Sequence, residues 1–181
     1  NALLAAALAI NVGASLENVR DGLATMKNVK GRLDVKQLSE QVRVLDDSYN
    51  ANVASVTAAI KLLASYQGRR ILVLGDMAEL GDKARHYHEE VGELAQREGI
   101  DMLYTLGVLS QSASSVYGAH GQHFSEIEPL LTALYGELQH IDEDITILVK
   151  GSRSARMERV VTALEASPVG KLDRSMRQMA C

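Results

Sequence analysis

The chain has 181 residues, 46% hydrophobic and 23% charged, which is enough apolar material for a packed core and argues against a disordered chain. With 19 basic residues against 23 acidic ones the formal net charge is −4, so the chain lacks the basic footprint of a nucleic-acid binder. The single cysteine, Cys181, excludes an internal disulfide and suits a reducing compartment. The longest apolar run, Ala2–Ile10, falls well short of the roughly 20 residues that a membrane helix needs, so no membrane partner is expected.

In chain order, Asn1 leads straight into Ala2–Ile10, a strong helix-forming run with neither a Met nor a lead-in, which reads as a start partway through a larger protein. Gly13 ends that helix. Ser15 opens a second one, with Leu16, Val19, Leu23 and Met26 spaced by three and four. Asn18 stands where a capping box prefers Glu or Gln, so only a partial cap is expected. The polar stretch Lys27–Arg32, with Gly31 inside it, suits a linker. This divides the chain into a helical piece (1–30), a larger α/β domain (31–168) and a polar tail (169–181) expected to fray.

Within the larger domain, Leu33–Leu38 and Val42–Leu45 alternate like two strands around a turn at Ser39–Gln41. Helix is then predicted over Val53–Tyr66, strand over Ile71–Leu74, helix over Ala84–Arg97 and strand over Met102–Leu106. A short helix over Ser110–Tyr117, a short strand over Gln122–Phe124, a helix over Glu126–Gln139, a strand over Ile145–Val149 and a helix over Ala155–Ala166 complete the series. Strands with nearly continuous apolar runs, alternating with helices, predict an α/β fold: a mostly parallel sheet with helices on both faces.

In such a sheet ligands sit outside the carboxyl ends of the strands. Three of those ends carry polar side chains suited to chemistry; a fourth offers only Gly107. Asp46-Asp47-Ser48-Tyr49-Asn50-Ala51-Asn52 mixes acids and amides, which suits sugar hydroxyls and phosphates, or equally an Asx turn with Asn52 as helix cap. Gly75–Gly81 is bracketed by glycines that permit a sharp turn. Its Asp76 and Glu79 suit a cation or an amine, although solvated turn acids are the simpler reading. Lys150-Gly151-Ser152-Arg153-Ser154 puts cations and hydroxyls where a helix begins, suiting an anion, or equally capping by Ser152 or Ser154. Arg32, beside Gly31, has the two-pronged grip that suits phosphate, yet an isolated linker arginine is usually solvated.

Several motifs are absent. His86 and His88 lie two apart and so point to different sides of a helix, His120, His123 and His140 look like surface or edge residues, and no metal site is expected. There is no Gly-x-x-x-x-Gly-Lys-Ser/Thr and no Gly-x-Gly-x-x-Gly. No Ser or Cys has a base beside it, so no catalytic residue is assigned. Met157, Val160, Val161 and Leu164 are most simply core.

Taken together, Asp46–Asn52, Leu74-Gly75-Asp76-Met77-Ala78-Glu79-Leu80-Gly81 and Val149–Ser154, with Gly31-Arg32-Leu33 ahead of them, closely resemble the MurF branch of the Mur ligase family. The likeness covers essentially the whole chain. Asn1-Ala2-Leu3 resembles the end of that family's His-Asn-x-x-Asn-Ala-Leu segment, at the close of its central ATPase domain. The resemblance implies that residues 1–30 are the tail of the central domain and residues 31–168 the Rossmann-like carboxy-terminal domain of a three-domain cytoplasmic bacterial enzyme. That enzyme joins D-alanyl-D-alanine to UDP-N-acetylmuramoyl-tripeptide in peptidoglycan precursor synthesis, using ATP and Mg2+ and passing through an acyl phosphate. The P-loop and the main ATP and Mg2+ ligands would belong to the missing amino-terminal and central domains, leaving this chain inactive alone.

By the same resemblance, Asn1 would contact adenine, Arg32 the ATP phosphates, and Asp47, with Asp46 as rival, the ribose. Tyr49 and Asn50 would share that nucleotide-facing loop. Lys150, Ser152 and Arg153 would meet the dipeptide carboxylate, and Asp76 and Glu79 its ammonium. Lys30 stands where many relatives carry Pro, implying a looser hinge, and Val53 stands where many carry Pro after the Asn. The alternatives are a sibling amide ligase (another Mur ligase or a folylpolyglutamate synthase) and a stand-alone α/β binding module.

Overall fold

Alternation of side chains along buried strands sets the architecture. The computed structural model describes residues 2–25, 30–139 and 142–168. Asn1, Met26, the 27–29 part of the linker, His140 and the 169–181 tail with Cys181 lie outside the described residues. The strands are β1 Asp34–Gln37, β2 Val42–Asp47, β3 Arg69–Gly75, β4 Met102–Leu106, β5 Gly121–Phe124 and β6 Ile145–Lys150. They form one sheet in the order β1-β2-β6-β3-β4-β5. Only the β1–β2 pairing is antiparallel. The helices are α1 Ala2–Asn11, α2 Leu16–Ala24, α3 Val53–Ala64, α4 Ala84–Arg97, α5 Gln111–Tyr117, α6 Ile127–Glu137 and α7 Glu158–Ala166.

Each buried strand feeds two cores. Val42 and Val44, Ile71 and Val73, and Ile145, Ile147 and Val149 face α6 and α7. Leu45, Leu72, Leu74, Leu103 and Leu148 face α3, α4 and α5. The predicted α/β sandwich is therefore present, with the expected elements shifted mainly at their ends. The largest shift is at the last helix, where residues 153–155 form a separate 3-10 turn. Arg156, with φ 49°, breaks it from α7. The cap of α2 is complete rather than partial. The Ser15 hydroxyl accepts from the Asn18 N–H at 3.1 Å, and the Asn18 amide oxygen accepts from the Ser15 N–H at 3.1 Å, doing what a Glu carboxylate would do. Helices α1 and α2 pack on each other and bury none of their residues. Among the described residues no helix is long and apolar enough to cross a membrane.

The helices that follow β2, β3 and β4 lie on one face, whereas those after β5 and β6 lie on the other. Because β6 inserts between β2 and β3, the chain leaves the ends of these neighbours in opposite directions, and a crevice opens there.

The loops at that edge are stapled by Asp76, just past β3. One carboxylate oxygen accepts from the Leu109 and Ser110 N–H groups at 3.0 and 2.8 Å, and the other from the Val108 N–H at 3.1 Å. The Asp76 carbonyl accepts from the Ser152 N–H at 2.8 Å. Helix α5 has no side-chain cap of its own, so Asp76 supplies one from across the sheet. A Cβ at Gly107 (φ 131°) would overlap the Asp76 carboxylate.

Replacing Asp76 with Ala leaves three N–H groups without their acceptor. It is predicted to lower stability by about 1–2 kcal/mol, with faster hydrogen exchange at residues 108–110. Two helical glycines predict opposite signs. A Cβ at Gly92 would run into the backbone of Ala113 on α5, whereas Gly136 faces open space. Gly92→Ala should destabilise by about 1–3 kcal/mol, and Gly136→Ala should stabilise by up to about 1 kcal/mol; urea unfolding checks both.

Candidate functional site

Register brings the key pair together. Asp47 and Lys150 are direct Cα partners on parallel neighbours β2 and β6. Counting in twos from Leu45 and Leu148, both face the α3 side. The Lys150 side chain is 3% exposed, and its ammonium donates to Asp47 Oδ2 at 2.5 Å and to the Asn50 carbonyl at 2.9 Å. A buried cation needs such partners, so Lys150 ties the β2 loop to the β6 loop. Its place differs from the sequence expectation, which grouped it with Ser152 and Arg153 toward a dipeptide carboxylate. The strand register turns its side chain toward Asp47 instead.

Asp47 borders a cleft of about 360 Å³ together with Arg32, Tyr49, Asn50 and Lys150. Its rival Asp46 points to the other face and is fully buried, one oxygen accepting from the Ser48 N–H at 3.2 Å and hydroxyl at 2.5 Å. Asn52 takes the capping role anticipated for it, accepting from the Ser55 N–H at 2.8 Å. Asp47, Tyr49, Asn50, Ala51 and Asn52 line the cleft, whereas Ser48 is buried against Asp46.

Gly31 and Arg32 dock on Tyr49. The Tyr49 N–H donates to the Gly31 carbonyl at 2.9 Å, and Gly31 (φ 73°) lies so close that a Cβ would sit 3.1 Å from that nitrogen. The Arg32 guanidinium carbon lies 4.5 Å from the Tyr49 ring centroid and that of Arg153 lies 5.9 Å away. The linker arginine is therefore built into the cleft wall.

A second cleft, of about 520 Å³, adjoins the first through Asn50 and Asn52 and brings in Glu79, Ser152 and Arg153. Glu79 is exposed and holds a left-handed backbone (φ 62°). The Ser152 and Ser154 hydroxyls contact each other at 3.0 Å, and neither caps the 3-10 turn. Arg153 is steered by Glu158 at 3.3 Å. Asp76 lines neither cleft; its carboxylate is engaged by the three N–H groups, and it borders a separate cleft with Gly107, Ser154 and Arg159. With Asp47 and Lys150 offsetting each other, Arg32 leaves the first cleft suited to an anion such as phosphate, whereas the second offers both a cation, Arg153, and an acid, Glu79.

Several residues that hold the site carried no sequence signal. His88 is buried, and its Nε2 accepts from the Met77 N–H at 2.9 Å, which leaves Nδ1 to donate to the Ala84 carbonyl at 2.7 Å. It pins the loop after β3 to α4. Met157 accounts for two glycines, since a Cβ at Gly75 or Gly151 would strike its side chain. Glu158 gives no sign in the sequence of its hold on Arg153. Among the described residues no cluster of His, Cys, Asp or Glu is arranged to hold a metal ion.

The family described as Mur ligase, glutamate ligase domain matches residues 31–153. The chain is 50% identical over 165 residues to the UDP-N-acetylmuramoyl-tripeptide–D-alanyl-D-alanine ligase of Escherichia coli K12, covering 91% of this chain and 36% of that protein. The chain thus spans little more than a third of the length of the relatives it matches. A crystal structure of MurF from Acinetobacter baumannii superposes with a TM-score of 0.83 at 31% identity, covering 92% of this chain and 37% of that one. The Thermotoga maritima MurF in complex with ADP gives a TM-score of 0.71 at 27% identity, over 88% of this chain and 36% of that one. With its sheet, its loop motifs and most of its length matched, the chain belongs to the Mur ligase family through the glutamate ligase domain.

Proposed function

We propose that this chain is the carboxy-terminal part of an ATP-dependent ligase that joins D-alanyl-D-alanine to UDP-N-acetylmuramoyl-tripeptide in the bacterial cytoplasm, during peptidoglycan precursor synthesis. Residues 1–30 are the tail of its central domain, 31–168 its closing domain and 169–181 a terminal extension. The observation that carries this reading is the joining of two loops by Lys150, which brings an acid, an amide and two arginines into contiguous clefts. The names of the relatives and the ADP in the Thermotoga maritima structure support the choice of substrates.

In this reading the first cleft takes the nucleotide. Arg32 grips phosphate oxygens, Asp47 accepts from the ribose hydroxyls, and Tyr49 and Asn50 wall the cleft. The second cleft takes the acceptor dipeptide, with Ser152 and Arg153 toward its carboxylate and Glu79 toward its ammonium. Asp76 acts on the dipeptide only through the loops it caps. Among the described residues no cluster of acids or histidines is arranged to hold Mg2+, so the metal is assigned to the rest of the full-length protein. ATP phosphorylates the tripeptide carboxylate, and the dipeptide amine then attacks the acyl carbon with release of phosphate. An acyl phosphate hydrolyses readily, so the domain's part is to exclude water and hold the amine in line.

Three outcomes are expected. The purified 181-residue chain releases no phosphate from ATP, because the P-loop motif is absent from it; release would contradict the assignment. In the full-length enzyme, Arg32→Gln lowers kcat/KM for ATP by about 10–100-fold with little change in the dipeptide KM, and Arg153→Gln does the reverse. An amine-substrate screen consumes D-alanyl-D-alanine; turnover with a single amino acid in its place would reassign the protein to a sibling ligase.

A further inference from the structure

The geometry points to Tyr49 as a positioning residue that couples the two clefts by holding Arg32 and Arg153 on one aromatic ring. The inference rests on the ligase reading above and deepens it. The two arginines come from segments more than a hundred residues apart in sequence, yet their guanidinium carbons lie 4.5 and 5.9 Å from the same ring centroid. Like charges so placed repel, and the electron-rich ring face is what offsets that repulsion. Each arginine has a second tether. Arg32 follows Gly31, whose carbonyl accepts from the Tyr49 N–H at 2.9 Å, and Arg153 is paired with Glu158 at 3.3 Å. The ring is the element common to both.

Tyr49 is 44% exposed, and its hydroxyl has no hydrogen-bond partner among the described residues, so the ring rather than the phenol group carries the role. Removing the ring lets both guanidinium groups drift, and each cleft loses part of its anion grip at once. A residue that only touched nucleotide would affect the first cleft alone. A residue needed only for folding would lower stability without separating KM from kcat.

The test uses the full-length protein that carries this chain. Tyr49→Leu is expected to raise the KM for ATP and the KM for D-alanyl-D-alanine by about fivefold each, with kcat and the thermal midpoint nearly unchanged. Tyr49→Phe restores both KM values. Adding Tyr49→Leu to Arg153→Gln raises the dipeptide KM no further. A dipeptide KM unmoved by Tyr49→Leu, a Phe variant as impaired as the Leu variant, or a loss confined to kcat and stability would each overturn the proposal. A readout independent of turnover separates it from the ligase reading. In NMR spectra of the 181-residue chain, the side-chain Nε–H signals of Arg32 and Arg153 should be ring-shifted in the wild type and in Tyr49→Phe, and return to ordinary positions in Tyr49→Leu. Absence of those shifts overturns the coupling whatever the enzyme assay gives. Ring shifts in the chain, together with no amide bond formed by the full-length protein, would support the coupling and overturn the ligase assignment.

Discussion

The buried ammonium of Lys150 is the constraint on which the cleft depends. With 3% of its side chain exposed, it requires acceptors, and register supplies Asp47 across the β2–β6 pairing and the Asn50 carbonyl beyond the strand end. Satisfying one cation therefore fixes the path of the loop after β2 and its distance from the loop after β6. Arg32, Tyr49, Asn50, Ser152 and Arg153 occupy those loops or dock on them, so their relative positions follow from the same pair.

Topology makes that constraint useful. Strand β6 sits between β2 and β3, and the helices after β2 and β6 pack on opposite faces, which leaves room for a ligand at their shared end. The rest of the edge is held rigid from the side. Asp76 caps the start of α5 and bonds Ser152, His88 anchors Met77, and Met157 fills the space that Gly75 and Gly151 leave. An arrangement of this kind suits a domain that presents walls and grips to a reacting group carried elsewhere.

Much of this was legible in the sequence. Apolar runs such as Ile71–Leu74 and Ile145–Val149 gave the strands, and the ends of those strands gave the loops, because a buried parallel sheet leaves few other places for polar clusters. The separation of Asp46 from Asp47 was not legible, since two adjacent acids differ only in which face the strand turns them to, and one-residue register is set by tertiary pairing. The capping role of Asp76 is not legible either, since its partners, the N–H groups of residues 108–110, are backbone and leave no trace in composition. The partners of Lys150 are hidden for a similar reason: they lie about a hundred residues away in the chain.

The central claim is that Asp47 and Lys150 act as one unit, and a double-mutant cycle on unfolding free energy tests it most directly. Asp47→Asn should cost about 3 kcal/mol, because it leaves the buried Lys150 ammonium without its counter-charge, and Lys150→Met should cost less, because the Asp47 carboxylate it unpairs is 20% exposed at the cleft. The double variant should cost less than the sum of the two by about 2 kcal/mol. Additive losses would show that the two side chains do not depend on each other, and would contradict the account of how the cleft is assembled.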